Sequence, residues 1–317
     1  MFQSSYALKL KPQIEGALLA AIAVILGAFS VYLPIIGQYV LIFFCPVPII
    51  LTILRHNIKL GFSVILVAFV LMGIITGIIQ AILLVILYNF VGIGIGVALK
   101  RGLAAKEIIL VGSFLSLAGS IIELCLLPFI MGINPWKDTL QILDQSLQTT
   151  AGIYEKLSID KETITKIKIQ MEESIKQIKL LLPAILLAAS IFYTLMVYLA
   201  TQLVLIRLGY SVPPLPKFSC WKLPWYCIWG IILGLFLSLW SLPLIRITGI
   251  NMLVSFIILY GIQGFAIIFY FFNKYNIPKV LKVISVIILF QFLNLIALVG
   301  IIDTWFDFRK LERRTAV

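Results

Sequence analysis

The chain is expected to fold as an all-α, polytopic integral membrane bundle of eight or nine spans with an extracytoplasmic helical hairpin. Three observations predict this. Of its 317 residues, 62% are hydrophobic and 12% charged, whereas soluble domains sit near about 45–50% apolar and about 25% charged. Mean hydropathy is +1.12. Apolar runs of spanning length, about 20 residues, end repeatedly in clusters of lysine and arginine.

The first run is Ile14–Leu33, opening with Glu15 and closing at Pro34. The second, Ile36–Leu54, contains Pro46 and Pro48 and stops at Arg55-His56-Asn57-Ile58-Lys59. Proline at these positions removes backbone donors inside hydrocarbon, so this run is expected to carry a shape-setting break, a hinge or docking face rather than a binding site. Leu60–Leu99 is too long for one span and right for two, with a turn near Gly77-Ile-Ile-Gln80. Ile108–Met131 and Leu180–Ile206 complete six spans. Lys9/Lys11, Arg55/Lys59, Lys100/Arg101/Lys106 and Arg207/Lys217/Lys222 then share one side. The positive-inside rule makes that side cytoplasmic, placing the N-terminus inside a bacterial cytoplasmic membrane.

Residues 1–207 therefore read as a six-span module that includes an extracytoplasmic segment, 132–179. There Trp136, Leu140, Leu143, Leu147, Thr150, Tyr154 and Leu157 recur at helical spacing, as do Ile164, Ile167, Met171, Ile175 and Ile178. Asp160 between them suits an N-cap, so a helical hairpin is expected. Its function is open between a lid or spacer and a coiled-coil contact. Residues 208–224 form a proline-rich cytoplasmic linker, and 225–317 a C-terminal transmembrane extension with a basic tail. Trp221, Trp225 and Trp229 suit a headgroup boundary. The last runs are Trp225–Leu244, Met252–Phe272 and Val280–Ile302. Three crossings from an inside linker would place Arg309, Lys310, Arg313 and Arg314 outside, against the positive-inside rule. The parity of the C-terminus stays open.

Net charge is +12, but its distribution excludes a nucleic-acid surface. Seven acids between Asp138 and Glu173 are matched there by seven lysines, and most other basic residues flank apolar runs. Four scattered cysteines and one histidine give no metal-ligand spacing, and no cofactor is expected. There is no Walker motif, nucleophile elbow or paired intramembrane carboxylate, so no enzyme is expected.

Ionisable groups inside spans are functional candidates because inserting them costs roughly 2.5–3.5 kcal/mol. Glu123 is the main one, with Ser113, Ser116 and Ser120 on the same span. Glu15 at a span mouth suits snorkelling. Gln80, Asn89, Gln263, Gln291 and Asn294 suit interhelical hydrogen bonds. Gly73/Gly77, Gly92/Gly96, Gly230/Gly234 and Ala17/Ala21 are small-residue pairs that permit close helix approach.

Pro46-Val-Pro-Ile49 with Arg55, and the ending Val299-Gly-Ile-Ile-Asp-Thr-Trp-Phe-Asp-Phe-Arg-Lys310, resemble the YybS-type family of uncharacterised bacterial membrane proteins over nearly the whole chain. The first six spans resemble the substrate-binding S components of energy-coupling-factor importers. That second resemblance implies a small-molecule ligand bound near Gln38, Gln80 and Glu123, with Ser190 and Tyr193 alongside. It also implies docking through Ala17 and Ala21 on a transmembrane coupling protein with ATPases, since no energy source lies in the chain itself. The long hairpin and the added spans depart from that pattern. They leave a non-transporting scaffold or regulatory protein, acting through hairpin and linker, as the alternative.

Overall fold

The computed structural model describes residues 11–33, 39–132, 145 and 161–310. Gln38, most of the expected hairpin and the tail beyond Lys310 lie outside them. The described chain is helical and divides into two compact units. Unit one comprises 1–173 and 189–214, and unit two 174–188 and 215–317.

In unit one, α1 (Pro12–Tyr32) starts on a proline whose missing N–H costs nothing in a helix's first turn. Gly16, Ala20, Ala23 and Gly27 turn inward, and the last lies against Met72 of α3 (Ile58–Thr76). The expected second span is not one helix. A 3-10 turn, Leu41–Phe43, precedes α2 (Val47–Arg55), whose N-cap is Pro46 and whose first turn holds Pro48. The prolines thus begin a helix instead of breaking one, because the first N–H groups of a helix have no intrahelical partner anyway. Both are buried, and Pro46 lies beside Gly92 of α4 (Ile78–Lys100). One turn on, a Cβ at Gly96 would sit 3.1 Å from the Ile53 Cβ. Ala20, Ile49, Ile53, Val64 and Ile65 form the core of these four helices.

The turn between α3 and α4 falls at Gly77, whose φ of +89° suits glycine. Then α5 (Ala105–Met131) opens with the Glu107 carboxylate accepting from the Ala104 N–H at 2.9 Å. The expected second hairpin helix and sixth span are a single helix, α6 (Lys161–Arg207), of 47 residues. At 1.5 Å per residue it is roughly 70 Å long.

Unit two holds α7 (Ile228–Ser238), α8 (Pro243–Lys274), α9 (Lys279–Phe290) and α10 (Leu293–Phe306). Antiparallel α7 and α8 touch backbone to backbone, and a Cβ at Gly234 would meet the Leu253 nitrogen at 2.8 Å. Pro183 lies inside the part of α6 that belongs here. One turn of that helix is bridged by Asn251 of α8, which accepts from the Ala184 N–H at 3.0 Å and donates to the Leu180 carbonyl at 2.8 Å. A polar side chain between helices satisfies backbone groups that lipid cannot.

Among the described residues, six helices are long and apolar enough to cross a membrane, and seven if α9 and α10, bent by 102°, count as one span. The expected eight or nine are not confirmed among the described residues, where Leu41–Arg55 and Trp225–Ser238 are short apolar helices. Phe218 packs on Phe269 near the Lys274 end of α8, with ring centroids 5.3 Å apart, so the linker enters at that end. Arg309, just past α10, donates to the linker carbonyls of Ser219 and Trp221 at 2.8 and 2.9 Å. From there α7 leads away, α8 returns, and Arg309 meets residues 219–221.

Candidate functional site

Two polar constellations in unit one and one in unit two interrupt otherwise apolar surroundings. The first sits where α1, α2 and α4 end. Glu15 pairs with Arg55 and lies 2.9 Å from His56 Nε2 through its second oxygen. The Arg55 guanidinium stands 5.4 Å above the Tyr210 ring. Lys100 donates to the Ile53 carbonyl at 3.2 Å and to that of His56, so a cation caps the carbonyl end of α2. The basic stop read as a sidedness marker is thus also a clasp for three helix ends.

The second constellation lies further along the same helices. Ser30 of α1 and Tyr88 of α4 share a hydrogen bond of 3.1 Å. Beside them the buried Cys45 thiol donates to the Leu41 carbonyl at 3.3 Å. Tyr193 of α6 donates to the Ile42 carbonyl at 3.4 Å, and its ring meets Phe43 with centroids 5.9 Å apart. The half-buried Glu123 of α5 is within electrostatic reach of both phenols. Ser190 and Thr194 on α6 and Ser113 on α5 are buried, and their hydroxyls have no hydrogen-bond partner among the described residues. Buried hydroxyls without partners are costly and mark places where water or a polar ligand completes the bonding.

Of the residues anticipated for binding, Glu123 is half-buried on α5, and Ser190 is buried on the same helix as Tyr193. Gln80 is exposed in the first turn of α4 and does not join them. Ala17 and Ala21 are exposed along α1. Tyr88, Ser30 and Cys45 escaped the sequence reading, since a lone tyrosine or serine in an apolar run carries no periodic signal. Two shallow clefts open elsewhere in this unit. One of about 260 Å³ lies among Tyr39, Phe43, Phe44, Met196 and Leu203, and one of about 320 Å³ among Leu54, Leu99, Leu205, Ser211 and Pro213. Neither is lined by Glu123, Gln80 or Ser190. Among the described residues, no group of three His, Cys, Asp or Glu is placed to hold a metal.

The third constellation is in unit two. Asp303 and Arg309 form an ion pair of 2.8 Å in which both side chains are 0% exposed. Gln263 donates to the Gly300 carbonyl at 3.0 Å and to Asp303 at 3.4 Å, and accepts from the Leu223 N–H at 2.8 Å. The second oxygen of Asp303 caps the Phe308 N–H at 2.9 Å, and Lys222 lies 3.4 Å from Asp307. Sequence reading grouped Arg309 with Lys310, Arg313 and Arg314 as a basic tail.

An all-helical chain with several apolar spans and buried intramembrane polar groups is a multi-pass membrane protein. It belongs to the family described as predicted membrane protein (DUF2232), whose pattern matches residues 21–304. It is 26% identical over 313 residues to the uncharacterized protein YybS of Bacillus subtilis (strain 168), covering 93% of this chain and 96% of that protein. No solved structure matches. The Pro46–Arg55 stretch and the Asp303 end of the closing motif both fall within the matched range.

Proposed function

We propose that the chain is a substrate-binding subunit of a multi-part importer, similar to S components, without an energy source or a catalytic step of its own. It would sit in the cytoplasmic membrane with its N-terminus inside. The observation that supports this is that Glu123 lies within electrostatic reach of Tyr88 and Tyr193, with the unpartnered hydroxyl of Ser190 on the same helix as Tyr193. A carboxylate, two phenols and a free hydroxyl in an apolar surround offer a small polar ligand charge and hydrogen bonds together. The exposed Ala17 and Ala21 on α1 supply a small-residue face for a transmembrane coupling protein. Affinity purification from native membranes is expected to recover that protein with ATPases, and a ligand screen to raise the melting temperature in a manner lost in Glu123→Gln. Recovery of neither partner nor ligand shift would sink the proposal.

The second reading is a scaffold or regulatory protein acting through residues 132–179 and the linker. The observation favouring it is that neither cleft is lined by Glu123. Deleting 136–178 separates the two: loss of a partner complex with ligand binding intact supports the scaffold, and loss of ligand binding supports a lid.

A further inference from the structure

We propose that Arg309 is a tethered cation that fastens two unwound stretches of chain, 219–223 and 307–310, at membrane depth within unit two. The depth follows from α8. Its charged residues Arg246 and Lys274 are both exposed and stand near its two ends. At 1.5 Å per residue they are about 42 Å apart, with Gln263 about 25 Å from Arg246. A hydrocarbon core is about 30 Å thick. Every placement that keeps both charges out of the core therefore leaves Gln263 inside it, about 4–16 Å from the boundary nearer Lys274.

Around Gln263 the backbone is not helical on two sides. Residues 221–224 are extended, and Asp307 and Lys310 have φ of 41° and 52°. Free N–H and C=O groups at this depth need partners within the protein. The partners are few and named. The Ser219 and Trp221 carbonyls accept from Arg309, the Leu223 N–H donates to Gln263, and the Phe308 N–H donates to Asp303. Two carbonyls and one carboxylate thus face a single guanidinium, an oxygen-rich set that suits a cation. Fork geometry matters here, since one nitrogen takes both carbonyls while the other takes Asp303. Lacking the cation, the carboxylate and carbonyls would face each other in hydrocarbon, and the segment 219–223 would be released to water.

Cys220, exposed between the two residues whose carbonyls accept from Arg309, reports on the state of the clasp. The experiment uses full-length protein in native membranes with Cys45, Cys125 and Cys227 replaced by serine. A charged, membrane-impermeant maleimide is expected to label Cys220 at least about tenfold more slowly than a cysteine at exposed Lys106, and Arg309→Gln to raise the Cys220 rate by about tenfold through local opening. In a background retaining Cys45 alone, Arg309→Gln is expected to leave the buried thiol unreactive. Wild-type labelling as fast as the Lys106 control would overturn the proposal, because it places 219–223 in water. Unchanged labelling in Arg309→Gln would overturn the clasp, and so would simultaneous exposure of Cys45.

Discussion

Two residue pairs, Glu15 with Arg55 and Asp303 with Arg309, show how burial changes the consequence of a charge. Asp303 and Arg309 are fully enclosed. Removing one member leaves the other uncompensated in a low-dielectric interior, a loss of about 3–5 kcal/mol. Asp303→Asn and Arg309→Gln are each expected to lower thermal stability sharply in detergent. The charge swap Asp303→Arg with Arg309→Asp recovers part of it, since the pair is restored but the carbonyl contacts are not. The Glu15 cluster retains 15–23% exposure of its side chains, so Glu15→Gln is expected to cost less, about 1–2 kcal/mol. Arg55→Lys should not rescue function of that clasp, because a lysine cannot at once fork to Glu15 and stack on Tyr210. Melting curves of the five variants in one detergent check the ranking.

At the scale of elements, the two prolines of α2 and the glycines of α7 and α8 carry opposite expectations. Pro48 occupies a first-turn position where no N–H is missed, so Pro48→Ala is expected to shift stability by less than about 1 kcal/mol. A hinge or a mid-helix break would give a larger change. Gly234 has no such latitude, because its missing Cβ leaves room for the Leu253 backbone nitrogen and not for a movable side chain. Gly234→Leu is expected to destabilise by about 1–3 kcal/mol or more through overpacking, seen as a lower melting temperature. Asn251→Ala removes bonds to both Leu180 and Ala184. At about 0.6 kcal/mol for an average interhelical hydrogen bond, up to about 1.7, its cost is about 1–2 kcal/mol.

For the whole molecule, the consequence is topological. The linker enters unit two at the Lys274 end of α8, and Arg309 is bonded to that same linker. A cysteine at Thr315 is therefore expected to react with impermeant reagents from the same face as one at Lys274. Labelling from the opposite face would mean that the last apolar run crosses completely. Basic residues at both places then satisfy the positive-inside rule without a ninth span.

Composition and run length alone determined the class of this protein. A chain that is 62% hydrophobic with basic stops has no stable soluble fold, and hydropathy reports that directly. The turn at Gly77 and the packing of Gly92 and Gly96 were legible for the same reason, because each is a local property of a run. What the tertiary structure alone decided is how far each run travels and what each charge meets. Residues 36–54, 225–244 and 280–302 all pass as spans by hydropathy, yet a 3-10 turn, a short helix and a 102° bend cut them short. Hydropathy sums transfer energies and is blind to direction. Likewise Arg309 looked like one of four tail charges, and only contacts reaching 90 residues back along the chain made it a buried ligand of Ser219. Such partners cannot be inferred from spacing, because the pairing exists only once two unwound segments meet beside Gln263.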